Sequence, residues 1–426
     1  MARLGSPRLE RSITLGGSAL LSFNGLVGAA IFALPATLLT QWGALSPWLF
    51  LAVGIGALVV IIPFARSAAK FPESGGPATY GLVFGRVSGF ELGWLYFVSK
   101  VAGLAANLNV LTDYIATWMT LARHGVGRGM TIISLCAALT ALNAFGIKRA
   151  LAYLGGFTVV KALPLLIVSL TALFLFGPPP SLDMATRPTA LEASFLVVFY
   201  AFVGFENAVL PAGETKNPGV TLPRAILLTT LLTALLYFLI QLGFVTAFQG
   251  RAPTSNAPLI ELGDMVFGWL GAVGLTLAAI FALLGNLLSG CAAAPRATYA
   301  MGARGDLPGW FGTVNETFNS PVNSIVFSGL AVGALAVSGG FVWLAVVATL
   351  ARMIVYAVTI AALPFVSAKR LKAVDWLSGA LGVAVCLWAM TQADAKAWLT
   401  LLPLSLFGAL LYAITTSTSK RQVPNS

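Results

Sequence analysis

Ser22-Phe23-Asn24-Gly25-Leu26-Val27-Gly28-Ala29-Ala30-Ile31-Phe32-Ala33-Leu34-Pro35-Ala36 and Tyr200-Ala201-Phe202-Val203-Gly204-Phe205-Glu206-Asn207-Ala208-Val209-Leu210-Pro211-Ala212 share one pattern: a Gly seven residues before the proline of a Leu-Pro-Ala triplet. Glycine lowers the cost of leaving helical geometry. Unwound backbone is tolerated at membrane depth only where it lines a cavity. Two such breaks facing each other supply N–H donors for a carboxylate and C=O acceptors for an ammonium. The half-helix ends add partial charges of the right sign. Paired interruptions at matching places in two halves of a chain point to a transporter's substrate site. Two ordinary Gly-kinked helices are the competing reading of the same residues.

The surrounding composition places both segments in a bilayer. Of 426 residues, 58% are hydrophobic and 9% charged, whereas a soluble chain carries about 25% charged residues. Residues 12–65 contain no Asp, Glu, Lys or Arg and hold two spans, divided at Gln41-Trp42-Gly43-Ala44 and Ser46-Pro47. Further spans are expected near 90–120, 129–147, 150–176, 192–213, 225–248, 266–299, 321–337, 341–366, 375–392 and 396–416, twelve in all. The split between the ninth and tenth rests on Ser338-Gly339-Gly340. The quoted segments fall in the first and sixth spans. Five spans of separation reverse membrane direction, so the expected architecture is two inverted five-helix halves plus two C-terminal helices. The units are a tail at 1–11, repeats at 12–182 and 190–370, helices 11 and 12 at 371–416 and a tail at 417–426. Of the 25 Lys and Arg residues, 17 fall in one set of loops and the tails, and 5 in the alternate loops. That asymmetry places both termini in the cytoplasm. The net charge of +11 follows from this distribution and gives no reason to expect nucleic acid. No cleavable signal peptide is expected, because the first apolar run is too long for one.

Several short motifs, taken in order, give the chain its resemblance to a known family. Gly28-Ala29-Ala30-Ile31-Phe32 is followed by Phe71-Pro72-Glu73-Ser74-Gly75-Gly76-Pro77-Ala78-Thr79-Tyr80, by Gly93-Trp94 and by Asn143-Ala144-Phe145-Gly146-Ile147-Lys148. Next come Phe202-Val203-Gly204-Phe205-Glu206, Glu214-Thr215-Lys216-Asn217-Pro218 and Pro223-Arg224-Ala225. Pro295-Arg296-Ala297-Thr298-Tyr299 and Gly305-Asp306-Leu307-Pro308 complete the series. Together they resemble the amino acid–polyamine–organocation (APC) transporter superfamily, with Ala29 and Ala30 where the family has Ser and Gly. The resemblance implies the inverted-repeat fold of the leucine transporter class and amino acid transport by alternating access. It implies that the substrate carboxylate sits on Gly28, Ala29 and Ala30. The amino group would sit on carbonyls of Asn24, Phe202 and Val203, beside Gly204.

Charged groups within spans face cavities or partners. Lys161 resembles the fifth-helix lysine of sodium-independent members, whose ammonium occupies the sodium site. Proton carriage is a second role open to it, and a purely structural lysine is a third. Glu206 corresponds to a family glutamate that links the sixth break to its neighbours and in some members responds to pH; its plainer role is a structural hydrogen-bond acceptor. Lys100 falls on the third-helix face that lines the family's pocket, and Arg352 lies in the tenth span. Three cations therefore meet one acid, Glu206. Two readings remain: an anionic substrate relieves the excess, or Lys100 and Arg352 bond to carbonyls and to Glu206. Asp113 is expected to find a partner toward the outer end of the third span. Tyr200 and Phe202 are gate candidates beside the sixth break. Asn107, Asn109 and Asn286 are read as pocket or interhelical groups, with packing as the plainer role.

An enzyme needs a nucleophile–base pair or a metal cluster. The single histidine, His124, lies in a loop, and Cys136, Cys291 and Cys386 sit in separate apolar runs. No enzyme activity, metal or cofactor is expected. The expected protein is a sodium-independent secondary transporter, either proton-coupled or exchanging. It would lie in the plasma membrane, or the inner membrane if the source is bacterial, with an amino acid, lipid and protons as its partners. A polyamine or organocation carrier, or an amino acid exporter, is the alternative.

Overall fold

The computed structural model describes residues 11–70, 77–145, 154–178, 180, 191–209, 214–318, 320–367 and 371–421. The Leu210-Pro211-Ala212 triplet, most of the Phe71–Tyr80 motif and Gly146-Ile147-Lys148 lie outside these residues. The described residues form helices joined by turns and loops, and their extended pairing is confined to the isolated bridges Ile13–Thr215 and Asn315–Ser320. In order the α-helices of ten residues or more are α1 (Leu15–Leu26), α2 (Ala29–Trp42), α3 (Ser46–Ala68), α4 (Arg86–Ala116), α5 (Gly125–Ala144), α6 (Leu154–Leu175) and α7 (Leu191–Tyr200). They continue with α8 (Pro218–Phe248), α9 (Pro258–Phe267), α10 (Trp269–Ala303), α11 (Val322–Ser338), α12 (Phe341–Ala361), α13 (Ala373–Thr391) and α14 (Ala395–Arg421). Among the described residues, eight stretches are long and apolar enough to cross a membrane, and the shorter apolar helices include Lys161–Leu175, Ser194–Ala208 and Val322–Ser338.

Burial separates the helices into an inner and an outer set. The apolar stretch of α4 is 94% buried, while those of α5, α13 and α14 are each 17% buried. Outer helices turn residues such as Val126, Leu330, Leu377 and Leu399 outward. In water that apolar surface would aggregate; in hydrocarbon it is the ordinary exterior. α4 is enclosed because its sequence carries Ser99, Ala102, Gly103, Ala105 and Ala106 between larger residues. Small residues let neighbouring backbones approach, and α10, α11 and α12 pack directly on α4. At 31 residues it is about 46 Å long, enough to cross a ~30 Å hydrocarbon layer with length to spare. α8 packs on α1, α3 and α6.

Both quoted segments are interrupted. α1 stops at Leu26 and α2 starts at Ala29; Val27 is extended (φ −81°, ψ 91°), and Gly28 leaves helical geometry (φ −131°, ψ −148°). α7 stops at Tyr200, Gly204 takes φ 117°, ψ −11°, and a 3₁₀ turn covers Phe205–Ala208.

Candidate functional site

The two interruptions meet backbone to backbone. A methyl group built on Gly25 would lie 2.1 Å from the Gly204 carbonyl oxygen, and one built on Gly204 would lie 2.3 Å from that of Gly25. Neither position has room for a side chain, and the positive φ of Gly204 is itself strained for any other residue. The closeness of this crossing comes from residues without a Cβ on both sides.

Ending α1 leaves carbonyl groups without intrahelical partners. Side chains from three other helices meet them. Tyr237 of α8 donates its hydroxyl to the Leu26 carbonyl at 2.8 Å. The Lys161 ammonium of α6 donates to the carbonyls of Val27 at 3.1 Å and Asn24 at 3.3 Å. The Asn286 amide of α10 reaches the same two oxygens at 3.3 and 3.4 Å. Lys161 is buried and sits where the helix dipole is negative, a favourable place for a cation. At the other side of the break, α2 begins with its N–H groups exposed to partners. Asn107 of α4 accepts from the Ala29 N–H at 3.0 Å and donates to the Gly103 carbonyl at 3.0 Å.

A cavity lies against this crossing. Its atom-free space, counting the mouth, is about 590 Å³. Gly28, Ala29 and Ala30 form one wall, and Tyr200, Val203, Gly204 and Asn207 another. α4 contributes Lys100, Gly103, Leu104 and Asn107, a spacing that puts one helix face toward the hollow. Asn286 and Ser289 of α10 and Arg352 of α12 complete its polar lining. Tyr200 donates to the Gly103 carbonyl at 3.3 Å and lies edge-on to Phe341.

Glu206 stands behind this wall as the centre of an ion cluster. Its Oε1 receives Lys100 at 3.2 Å and Arg352 at 3.0 Å. Its Oε2 accepts from the Tyr356 hydroxyl at 3.2 Å and from the Gly204 N–H at 2.9 Å. Lys100 also donates to Asn207 at 3.3 Å and lies 5.2 Å from the centre of the Tyr96 ring. Arg352 donates to Ser99 at 2.6 Å. The carboxylate ties α4 and α12 to the backbone of Gly204.

Of the residues singled out in the sequence, Gly28, Ala29, Ala30, Lys100, Tyr200, Val203 and Gly204 come together at the cavity. Asn24 and Phe202 stand apart from its lining. The Phe202 ring is fully buried and packs toward Tyr237, 5.9 Å between centroids, and toward Gly54. Asp113 pairs with Arg128 at 2.5 Å, and Arg128 also donates to Asn109. Gly25, Asn207 and Tyr237 were not anticipated. Gly25 carried a signal, lying three residues from Gly28 in the quoted segment, but its partner across the crossing is known only from the fold.

Membrane-spanning helices that break around a shared polar hollow define a membrane transporter. The family model described as "Amino acid permease" matches residues 13–419, so the chain belongs to that family, and it is a multi-pass transporter rather than an enzyme. An uncharacterized transporter of Mycobacterium tuberculosis is 30% identical, over 77% of this chain and 74% of its own length. A cationic amino acid transporter, vacuolar, of Arabidopsis thaliana is 26% identical over 77% of this chain and 55% of its own. An arginine/ornithine antiporter of Lactococcus lactis is 25% identical over 75% and 71%.

Proposed function

We propose that the chain moves amino acids across the membrane by alternating access, as a sodium-independent proton symporter or exchanger. In this reading α1 with α2 forms the first of twelve spans and α7 with the 3₁₀ turn the sixth. The spans form inverted repeats at 12–182 and 190–370, followed by helices 11 and 12 at 371–416. Both termini are cytoplasmic, and the membrane is the plasma membrane, or the inner membrane of a bacterium. The observation that carries the proposal is the contact between the Gly25 and Gly204 backbones beside a polar hollow. Its chemistry suits a zwitterion. The start of α2 offers N–H groups to the substrate carboxylate, and the Ala29 N–H among them donates to Asn107. The carbonyl groups around Val203 and Gly204 are the acceptors for the amino group. The names of the plant and lactococcal relatives support amino acids as the substrate class.

The sodium-independent reading rests on Lys161. Its ammonium already bonds the carbonyls of Asn24 and Val27, where a coupling cation would act by holding the broken end. The test is uptake and counterflow in proteoliposomes, screened over the twenty amino acids and several polyamines, with and without sodium. Saturable movement of at least one amino acid in sodium-free buffer is expected. Movement of polyamines alone would refute the substrate class, and a strict sodium requirement would refute the role of Lys161.

A further inference from the structure

The charges around the cavity are unequal in a way that bears on which amino acid enters. Lys100 and Arg352 both line the hollow; Glu206, the carboxylate they share, is not among its described lining residues. Both cations are largely buried, with relative exposures of 8% and 4%. Their formal charges exceed that of Glu206 by one, and no other described lining residue is acidic. Both oxygens of Glu206 are already engaged with two donors each, so the carboxylate has little capacity left for a ligand. The remaining partners of the cations are the neutral Asn207, Ser99 and the Tyr96 ring. The hollow therefore carries an excess positive charge that is held away from water. Such a charge attracts an anion and repels another cation strongly, because little solvent is present to screen it.

Its position gives the preference a direction. Lys100 and Asn107 lie on the same face of α4, two turns apart, and Asn107 meets the start of α2. Two turns are about 10 Å along the helix axis.

We infer that this site selects an amino acid bearing a carboxylate side chain, held by Lys100 and Arg352 while its α-carboxylate meets the start of α2, and that it rejects the cationic amino acids named for two of its relatives. The inference rests on the proposed transport of amino acids through this cavity. It deepens that reading by naming the side-chain class.

The experiment uses the full-length protein in proteoliposomes. Competition and counterflow are measured with glutamate, aspartate, leucine and arginine, and the selectivity ratio is compared for the wild type, Lys100→Met and Asn207→Asp. Asn207→Asp sets a negative charge 3.3 Å from Lys100 while leaving Lys100, Arg352 and Glu206 in place, so it serves if Lys100→Met fails to fold. Glutamate or aspartate is expected to compete at least about tenfold more tightly than arginine, and more tightly than leucine. Each variant is expected to lower the glutamate-to-arginine ratio by about tenfold or more. Arginine or leucine matching the dicarboxylates in the wild type would overturn the inference and leave amino acid transport standing. Ratios unchanged in every folded variant would overturn it equally. Movement of no amino acid of any class would instead refute the transport reading on which it rests.

Discussion

Replacing Glu206 with Gln changes almost no volume and tests whether the cluster is held by charge. In the wild type, Oε1 receives Lys100 and Arg352, and Oε2 receives the Tyr356 hydroxyl and the Gly204 N–H. A carboxamide keeps only one of those acceptors. If its NH₂ group takes the Oε2 place, it confronts the Gly204 N–H, and an orphaned buried donor costs about 1–3 kcal/mol. If it takes the Oε1 place, it confronts two cations. Either way Lys100 and Arg352 lose the negative charge between them, and breaking a buried ion pair by removing one partner typically costs about 3–5 kcal/mol. The upper half of that range is expected here, because one carboxylate serves two cations and the Gly204 N–H. Unfolding in mixed micelles, followed by tryptophan fluorescence, measures the difference. Lys100→Met in the Glu206→Gln background then removes one uncompensated charge and is expected to recover part of the loss, a coupling that adjacent sites show. A simple turn cap would be worth only about 1 kcal/mol. A Glu206→Gln variant within about 1 kcal/mol of wild type, or no recovery in the double variant, would refute the electrostatic account.

Three further outcomes follow from the same geometry. Gly25→Ala places a methyl 2.1 Å from the Gly204 carbonyl and 2.7 Å from Asn207; overpacking of this kind costs about 1–3 kcal/mol, and transport should fall by tenfold or more in protein that still folds. Wild-type transport by this variant would show that the close crossing is dispensable. Lys161→Met removes the ammonium from the Asn24 and Val27 carbonyls while Asn286 still donates to both; transport in sodium-free proteoliposomes should be lost, and normal rates there would contradict its role as a cation substitute. Asn107→Ala orphans the Ala29 N–H at about 1–3 kcal/mol; a saturating substrate should restore part of that stability, so the ligand-induced thermal shift should exceed that of wild type, and equal shifts would place the substrate carboxylate elsewhere.

What could be read without coordinates, and what could not, divides by the range of the interaction. The breaks at Gly28 and Gly204 were legible because glycine inside an apolar run is a local backbone signal, repeated at one spacing from a proline. Lys100, Lys161 and Arg352 were legible because an ionisable group within hydrocarbon demands a polar neighbour wherever the chain carries it. The neighbours themselves were not. Gly25 touches Gly204 across more than half of the first 300 residues, and Tyr237 finds the Leu26 carbonyl 211 residues away; no periodicity encodes either pairing. Phe202 shows the same limit in reverse. Its place in the sixth break made it a pocket and gate candidate, yet the turn sends its ring toward Tyr237 and Gly54, while Tyr200, one helical end earlier, stands at the cavity.

The cluster around Glu206 shows why counting intramembrane charges was informative yet incomplete. The count of cations against one acid is a property of the sequence; in the structure Lys100 and Arg352 both bond to Glu206, with the side chains of Asn207 and Ser99 as further partners where backbone carbonyls were expected. That bonding does not remove the imbalance, since one carboxylate offsets one charge. What decides its effect on a solute is which partners face the hollow, and that is set by how α4 and α12 are turned toward the break at Gly204. Both cations line the wall with Glu206 behind them, so the excess charge lies where a ligand would meet it. The ion cluster then serves two ends at once: it holds the break at Gly204 against α4 and α12, and it gives the cavity its sign.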